Sequence, residues 1–181
     1  MELTTARLLL RELDESDHPI TNTWESDAEA VRYQLYDVRT LDESRSYLRR
    51  VREESAEVPR RLYDLGVVRR SDGRLVGRAG LHVRNPAERE AVLWYVMHRE
   101  TWGQGYAPEA AGALLELAFG SLNVHRVYAD CDPRNHASAR VAEKLGMRKE
   151  AHFVENAYVK GEWCDSLIYG LLDREWRARR G

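Results

Sequence analysis

Two kinds of apolar spacing alternate along the chain, and together they predict an α+β fold. Segments of strand length that are rich in apolar residues occur at 8–10, 63–68, 75–83, 92–97 and 126–131. The turn Ser71-Asp72-Gly73 separates the second run from the third, and an Asp-Gly pair between two such runs predicts a β-hairpin. We therefore expect the three strands between residues 63 and 97 to form an antiparallel meander.

Helical spacing marks most of the remaining chain. Residues 28–63 are highly charged with apolar positions at helical intervals, and a restart is expected at 41–44. Beyond the meander, an apolar stripe predicts a helix through Ala111, Leu114, Leu115 and Ala118. A shorter helix is expected at 138–145, followed by two strands within 151–172. No repeat or linker divides the sequence, so we expect one domain over residues 1–181.

The stretch between the strand at 92–97 and the next helix predicts a phosphate-binding turn. Gly103 and Gly105 allow a sharp turn, while Pro108 and Glu109 suit the first turn of a helix. A strand, a glycine turn and a helix N-terminus together form a favourable site for a phosphate. A dinucleotide fold is a poor fit, because Pro108 replaces the required small residue. A Walker loop is also a poor fit, because Gly-Lys-Ser/Thr is absent.

Composition narrows the possible partners and the compartment. The 181 residues carry a formal charge of −2, which argues against nucleic acid as a partner. No apolar run reaches membrane length and no signal peptide is evident, so a cytoplasmic protein without a membrane partner is expected. Cys131 and Cys164 lack the spacing of a zinc site, so we expect reduced thiols and no metal.

Three separated motifs resemble the GNAT superfamily of N-acetyltransferases. They are Trp-Gly-Gln-Gly-Tyr-Ala-Pro-Glu-Ala at 102–110, Asn135-x-x-Ser138, and Lys144-Leu145-Gly146-Met147. The opening Thr5-x-Arg7-Leu8-x-Leu10-Arg11 is similar to the ribosomal-protein N-terminal acetyltransferase branch, of RimJ/RimL type. The resemblance implies acetyl-CoA as donor, a primary amine as acceptor, and a mixed sheet that splays open after its fourth strand. Trp102 departs from the family pattern, which has Arg or Gln at that position.

The resemblance also implies which residues bind the cofactor. The pyrophosphate is expected to meet backbone N–H groups of Gly103, Gln104, Gly105, Tyr106 and Ala107. An N–H from the strand end, at Val96, Met97 or His98, would stabilise the charge that develops on the thioester oxygen. Asn135 matches the position that hydrogen-bonds the cofactor arm, and Ser138 the position proposed to assist the leaving thiolate. Asn135 could instead cap a helix, and Ser138 could be a small packed residue.

The general base stays open at this stage. The branch often has a glutamate where Val92 stands here, and Glu90 lies two positions earlier on the same strand face, so Glu90 joins Ser138 as a catalytic candidate. Glu155 and His98 are further candidates. Relay to water is an equal alternative, because an N-terminal amine with a pKa of about 8 is partly neutral already.

The acceptor is predicted only by class. Trp24, Tyr33 and Tyr36 are candidates for a substrate pocket or, alternatively, for core packing, and carboxylates near Asp27 and Glu29 would attract a cation. The acceptor is either a protein N-terminal α-amine or a small amine such as a polyamine or antibiotic. A non-catalytic acyl-CoA-binding module is the alternative function. Members of this branch often pair, so the resemblance leaves a homodimer open.

Overall fold

The computed structural model describes residues 1–179, so the last two positions of the expected domain lie outside it. The strands, in chain order, are β1 (Glu2–Thr4), β2 (Leu8–Glu12), β3 (Leu62–Arg69), β4 (Arg74–Asn85), β5 (Glu90–Met97), β6 (Arg126–Cys131), β7 (Arg148–Val159) and β8 (Glu162–Leu172). The helices are α1 (His18–Glu25), α2 (Leu41–Ser55), α3 (Tyr106–Glu116), α4 (His136–Lys144) and α5 (Asp173–Ala178). This arrangement confirms the predicted α+β class.

The strands form one mixed sheet in the order β1-β2-β3-β4-β5-β6-β8-β7. All neighbours are antiparallel except β5 and β6, which pair only from Glu90 to Val92 on β5. Beyond that point β5 continues to Met97 and β6 to Cys131 without pairing to each other. The predicted opening after the fourth strand is confirmed, and the short strand β1 makes that strand the fifth of the sheet.

Local turn chemistry fixes the hairpins where the sequence predicts them. β3 and β4 are joined through Gly73, which has a φ of 70°, and β7 and β8 through Lys160 and Gly161 with φ values of 51° and 86°. Positive φ is inexpensive for glycine, so these positions favour turns over continued strand. The meander β3-β4-β5 is confirmed.

The predicted helix over residues 28–63 is wrong at both ends. Residues 28–36 form successive turns and bends, and α2 begins only at Leu41 after a capping box of Thr40 and Glu43. It ends at Ser55, and Leu62 opens β3. The restart at 41–44 is therefore the true start of the helix. Tertiary contacts described below satisfy the polar groups of the preceding segment without a helix.

Two cores lie on opposite faces of the sheet. The larger packs α3, through Leu114 and Leu115, against strand residues such as Leu65 and Leu81. The smaller joins α1 and α2 to the other face and contains Trp24 and Val96. Met97 belongs to the larger core, so the end of β5 contributes to both faces. This strand end and the opening beside it position the candidate site.

Candidate active site

A cavity of about 540 Å³ lies at the opening between β5 and β6. Its walls come from the end of β5, the glycine turn with the start of α3, helix α4 with the turn before it, and the loop between α1 and α2. A concave site of this size suits a small ligand or cofactor arm. The structure thus brings the glycine turn, Asn135 and Ser138 together, as the sequence predicts.

The glycine turn presents the N-terminus of α3 to the cavity. Gly103 and Gly105 have φ values of 77° and 79°, which an L side chain adopts only with strain. α3 begins at Tyr106, and the first N–H groups of a helix lack intrahelical partners. Among the five residues predicted to offer a free N–H to the pyrophosphate, Gln104 differs, because its N–H already donates to the Thr101 oxygen at 3.4 Å. Its side chain donates to the Glu100 oxygen at 3.0 Å.

The N-terminal segment supports this turn. The guanidinium of Arg7 donates to the Gln104 oxygen at 2.9 Å and to the Glu109 carboxylate at 2.7 Å. Thr5 donates its hydroxyl to the same carboxylate at 2.6 Å. Burial alone would raise the pKa of Glu109, but these hydrogen bonds lower it below its usual value. The Thr-x-Arg motif and the glycine turn, about a hundred positions apart in sequence, therefore form one structural unit.

The end of β5 directs one backbone N–H toward the opening. The N–H of His98 donates to the Val76 oxygen at 2.8 Å, so it points toward β4. Because peptide groups alternate in direction along a strand, the N–H of Val96 also points toward β4, and the N–H of Met97 points toward the opening. The Met97 oxygen accepts a hydrogen bond from the Trp102 indole at 2.9 Å. Of the three backbone N–H groups predicted to stabilise the thioester oxygen, that of Met97 is the one directed toward the opening. The hydrogen bond from Trp102 joins the glycine turn to the strand.

Ser138 and Asn135 lie at the start of α4. The Asn135 side chain accepts a hydrogen bond from the Ser138 N–H at 3.0 Å, which is an N-cap. The Ser138 hydroxyl lies 2.9 Å from the Tyr95 hydroxyl, and both residues line the cavity. Burial raises the pKa of Tyr95 to about 12. Sequence reasoning missed Tyr95, whose only signal was a polar aromatic residue near the expected strand end, and it also missed the basic side chains Arg140 and Lys144 of α4.

The structure places Glu90 away from the cavity. It lies at the beginning of β5, and six residues of strand, about 20 Å, separate it from Val96. Its carboxylate forms an ion pair with Arg126 at 2.8 Å. Glu90 as a catalytic base is therefore a wrong prediction, because position on one strand face does not fix position along the strand. Glu155 also lies outside the cavity lining, on the outer strand β7.

The aromatic candidates separate into three environments. Trp24 is 1% exposed in the smaller core, so the prediction of a pocket wall is wrong for it and core packing is correct. Tyr33 lines the cavity, together with Glu29 and Gln34. Tyr36 does not line it; its ring lies 3.9 Å from the guanidinium carbon of Arg39. The loop between α1 and α2 thus supplies part of the cavity wall.

Charges are distributed unevenly around the cavity. Glu29 supplies a carboxylate from the loop, whereas Arg134, Arg140 and Lys144 come from α4 and the turn before it. Within residues 1–179, no group of three or more His, Cys, Asp or Glu side chains is placed to bind a metal ion. In the same part of the chain no helix is long and apolar enough to cross a membrane.

Comparison with known proteins gives a consistent family. A model described as an acetyltransferase (GNAT) domain matches residues 7–148. The uncharacterized N-acetyltransferase YnaD of Bacillus subtilis is 31% identical over 176 residues, covering 97% of this chain and 99% of that protein. The putative ribosomal N-acetyltransferase YdaF of Bacillus subtilis is 32% identical over 109 residues, 60% of each chain.

Solved structures share the fold over nearly the whole chain. A GNAT-family acetyltransferase from Bacillus anthracis has a TM-score of 0.86 at 28% identity, covering 97% of this chain and 100% of that one. Spermidine N-acetyltransferase from Vibrio cholerae, in complex with CoA and spermine, has a TM-score of 0.82 at 21% identity, covering 96% and 99%. RimL, a ribosomal L7/L12 α-N-protein acetyltransferase in complex with CoA, has a TM-score of 0.85 at 18% identity, covering 95% and 98%.

Proposed function

The chain belongs to the GNAT family of acetyltransferases, and on that basis we propose that it moves an acetyl group from acetyl-CoA to the α-amine of a peptide or protein. The observation that carries the proposal is the cavity at the opening of the sheet. It joins a helix N-terminus, an outward-facing strand N–H and a hydroxyl pair in one space. These are the groups that a thioester donor requires.

The cofactor arm fits this space from the glycine turn inward. The pyrophosphate would accept hydrogen bonds from the N–H groups of Gly103, Gly105, Tyr106 and Ala107, at the positive end of α3. Arg140 and Lys144 line the same cavity and would add positive charge for the phosphates. The pantetheine arm would then pass beside Val141 toward the opening of the sheet.

Catalysis needs stabilisation of two developing charges. The ammonium of the acceptor first loses one proton to water. The neutral amine nitrogen then attacks the thioester carbon, and the carbonyl oxygen gains charge that the Met97 N–H is directed to accept. The C–S bond then breaks and the thiolate leaves toward Ser138. Since the pKa of Tyr95 is about 12 and that of a thiol about 8.5, Tyr95 stays protonated beside Ser138. The hydroxyl pair therefore stabilises the thiolate by hydrogen bonding, and the proton that neutralises it comes from the attacking amine.

The loop wall favours an acceptor with one positive charge. Glu29 is the carboxylate among the described residues that line the cavity, and Tyr33 adds an aromatic ring. The Arg32 guanidinium lies 3.8 Å from the Glu29 carboxylate and 5.3 Å from the Tyr33 ring centre, so these two groups leave little capacity for more than one further cation. A polyamine carries several ammonium groups, and each would need a carboxylate or an aromatic partner to replace water. A peptide with a single α-amine needs only one such partner. This charge count supports a peptide N-terminus over a polyamine.

The test is acetyl transfer by the purified protein. CoA release from acetyl-CoA would be followed with a thiol reagent, and the products identified by mass spectrometry. The acceptors would be a peptide with a free N-terminus, the same peptide with a blocked N-terminus, and spermidine. We expect release only with the free peptide. Preference for spermidine would overturn the acceptor assignment, and CoA binding without turnover on any amine would indicate a binding module instead.

A further inference from the structure

The loop between α1 and α2, residues 26–40, forms one wall of the cavity but has neither helix nor strand. Hereafter it is the acceptor loop. Glu29, Ala30, Tyr33 and Gln34 line the cavity from it. Backbone hydrogen bonds inside it, such as those from Val31 to Asp27 and from Gln34 to Val31, form local turns, and contacts with the rest of the fold hold those turns at the cavity. These contacts are hydrogen bonds, an ion pair and ring contacts with residues of other elements.

A column of alternating aromatic rings and guanidinium groups runs from the acceptor loop to the centre of the sheet. Its members are Tyr36, Arg39, Tyr47, Arg78 and Trp94. The Arg39 carbon lies 3.9 Å from the Tyr36 ring centre and 4.1 Å from that of Tyr47. The Arg78 carbon lies 4.4 Å from the Tyr47 ring centre and 5.3 Å from that of Trp94. Each such contact stabilises the stack, more so when it is buried.

Two buried carboxylates fix the guanidinium groups of this column. Glu25, the last residue of α1, accepts from Arg39 at 2.7 Å and lies 3.0 Å from Arg78. Asp64 accepts from Arg78 at 3.0 Å and from the Tyr47 hydroxyl at 2.6 Å. Glu25, Asp64 and Arg78 are at most 1% exposed. Buried charges tolerate little displacement, because losing one partner leaves the other uncompensated.

Arg39 and Tyr36 are the members of the column that belong to the acceptor loop, and Arg39 closes the loop. Its N–H donates to the Glu25 oxygen at 2.9 Å, and its own oxygen accepts from the Asn22 side chain at 2.9 Å. Both ends of the loop are thereby joined at α1. Arg39 does not line the cavity, so any effect on the acceptor must act through the loop.

A second tether reaches the loop from the β7–β8 turn. The ammonium of Lys160 donates to the Val31 oxygen at 2.7 Å and to the Arg32 oxygen at 3.3 Å. Burial lowers the pKa of this ammonium below its usual value. Lys160 therefore fixes the middle of the loop, directly between Ala30 and Tyr33 of the cavity wall.

We propose that Arg39 is a positioning residue that sets the shape of the acceptor loop, and through it the affinity for the amine, while acetyl-CoA binding is independent of it. The inference rests on the proposed function, since it assigns the loop to the acceptor side. It follows from the column geometry and the two-point tether. The donor side is built on α3, α4 and the end of β5; the column reaches β5 at Trp94, where Tyr47 and Arg78 stand between it and Arg39.

The test separates the two substrates kinetically. Arg39→Met removes the charge and the planar stack, and we expect the KM for the amine to rise about tenfold or more. The KM for acetyl-CoA and kcat at saturating amine should stay close to the wild type. Arg50→Met is the matched control, because Arg50 stacks on the same Tyr47 ring at 5.2 Å from an exposed position on α2. It should leave both KM values unchanged.

Two further variants keep the test independent of folding defects in one protein. Lys160→Met should raise the amine KM in the same way, by releasing the middle of the loop. Tyr36→Phe keeps the ring and loses only the hydroxyl that lies 3.4 Å from Arg78, so it should behave like the wild type. An unchanged amine KM in both Arg39→Met and Lys160→Met would overturn the inference. Equal rises in both KM values would also overturn it.

An affinity measurement distinguishes this inference from the function beneath it. A bisubstrate compound, with CoA joined through an acetyl bridge to a peptide α-amine, should bind the wild type more tightly than CoA does. Arg39→Met should lose that advantage and keep the affinity for CoA. An advantage retained in the variant would refute the role of Arg39. No advantage in the wild type would refute the proposed acceptor site, and the inference with it.

Discussion

The strongest test of the cofactor site is Gly105→Glu compared with Gly105→Gln. Gly105 has a φ of 79° directly before α3, and a β-carbon there would lie 3.4 Å from an Arg7 nitrogen. Any side chain therefore incurs backbone strain of about 1–2 kcal/mol in this left-handed conformation. Glutamine and glutamate share that strain and nearly the same shape. The pair differs only in charge.

The expected difference follows from the distance to the phosphates. A carboxylate about 5 Å from a phosphate charge, at an effective dielectric constant of about 20, is repelled by about 3 kcal/mol. That is about a hundredfold in Kd. Arg7 cannot neutralise the new charge fully, because its guanidinium already forms an ion pair with Glu109 at 2.6 Å. The ratio of the Kd for CoA in Gly105→Glu to that in Gly105→Gln should be smaller in high salt, which screens the repulsion.

Titration calorimetry with CoA measures the ratio, and thermal unfolding checks the fold. We expect both variants to melt at similar temperatures, below the wild type, with CoA affinity much weaker in Gly105→Glu than in Gly105→Gln. Equal affinities in the two variants would show that no phosphate lies near the start of α3. The assignment of the turn to the pyrophosphate would then be wrong.

Three further predictions concern the hydroxyl pair, the cap and the N-terminal support. Ser138→Ala should lower kcat by about tenfold to a hundredfold with little effect on CoA affinity. Tyr95→Phe should lower kcat by a smaller factor. An unchanged kcat in both variants would show that the hydroxyl pair takes no part in the mechanism. Asn135→Ala should cost about 1 kcal/mol in urea unfolding and Asn135→Asp clearly less, whereas equal losses would contradict a capping role. Arg7→Met should lower the free energy of unfolding by about 1 kcal/mol at pH 7. Because the folded pKa of Glu109 is lowered, this loss should fade as the pH falls below about 4.5; a loss independent of pH would contradict it.

Features with a local cause were predictable from the sequence. The hairpin at Gly73 and the turn at Gly103 and Gly105 depend on positive φ values that the residues themselves favour. The start of α2 depends on a capping box within four residues, Thr40 to Glu43. The sheet opening was predictable only through the family resemblance, because no local pattern encodes the few parallel pairs of β5 and β6.

Features set by distant partners were not predictable. The charged spacing before α2 fits a helix, yet Glu25 and Lys160 satisfy that segment from other elements and leave it irregular. Tyr95 required knowledge that α4 returns across the opening to bring Ser138 within 2.9 Å. Glu90 was misjudged because Arg126, which pairs with it, is known as its neighbour only once β6 is placed.

The two sides of the cavity differ in how they are built, and this has a consequence for specificity. The donor side consists of strand β5, helix α3 and helix α4, whose backbone hydrogen bonds fix the groups near the thioester. The proposed acceptor side is an irregular loop that side-chain contacts of Arg39 and Lys160 join to α1 and to the β7–β8 turn. Under the proposed function, substitutions at Glu29 or Tyr33 should therefore change the acceptor without disturbing the backbone proposed to bind CoA. We expect variation in this loop, rather than in the glycine turn, to distinguish acceptors among proteins with this fold.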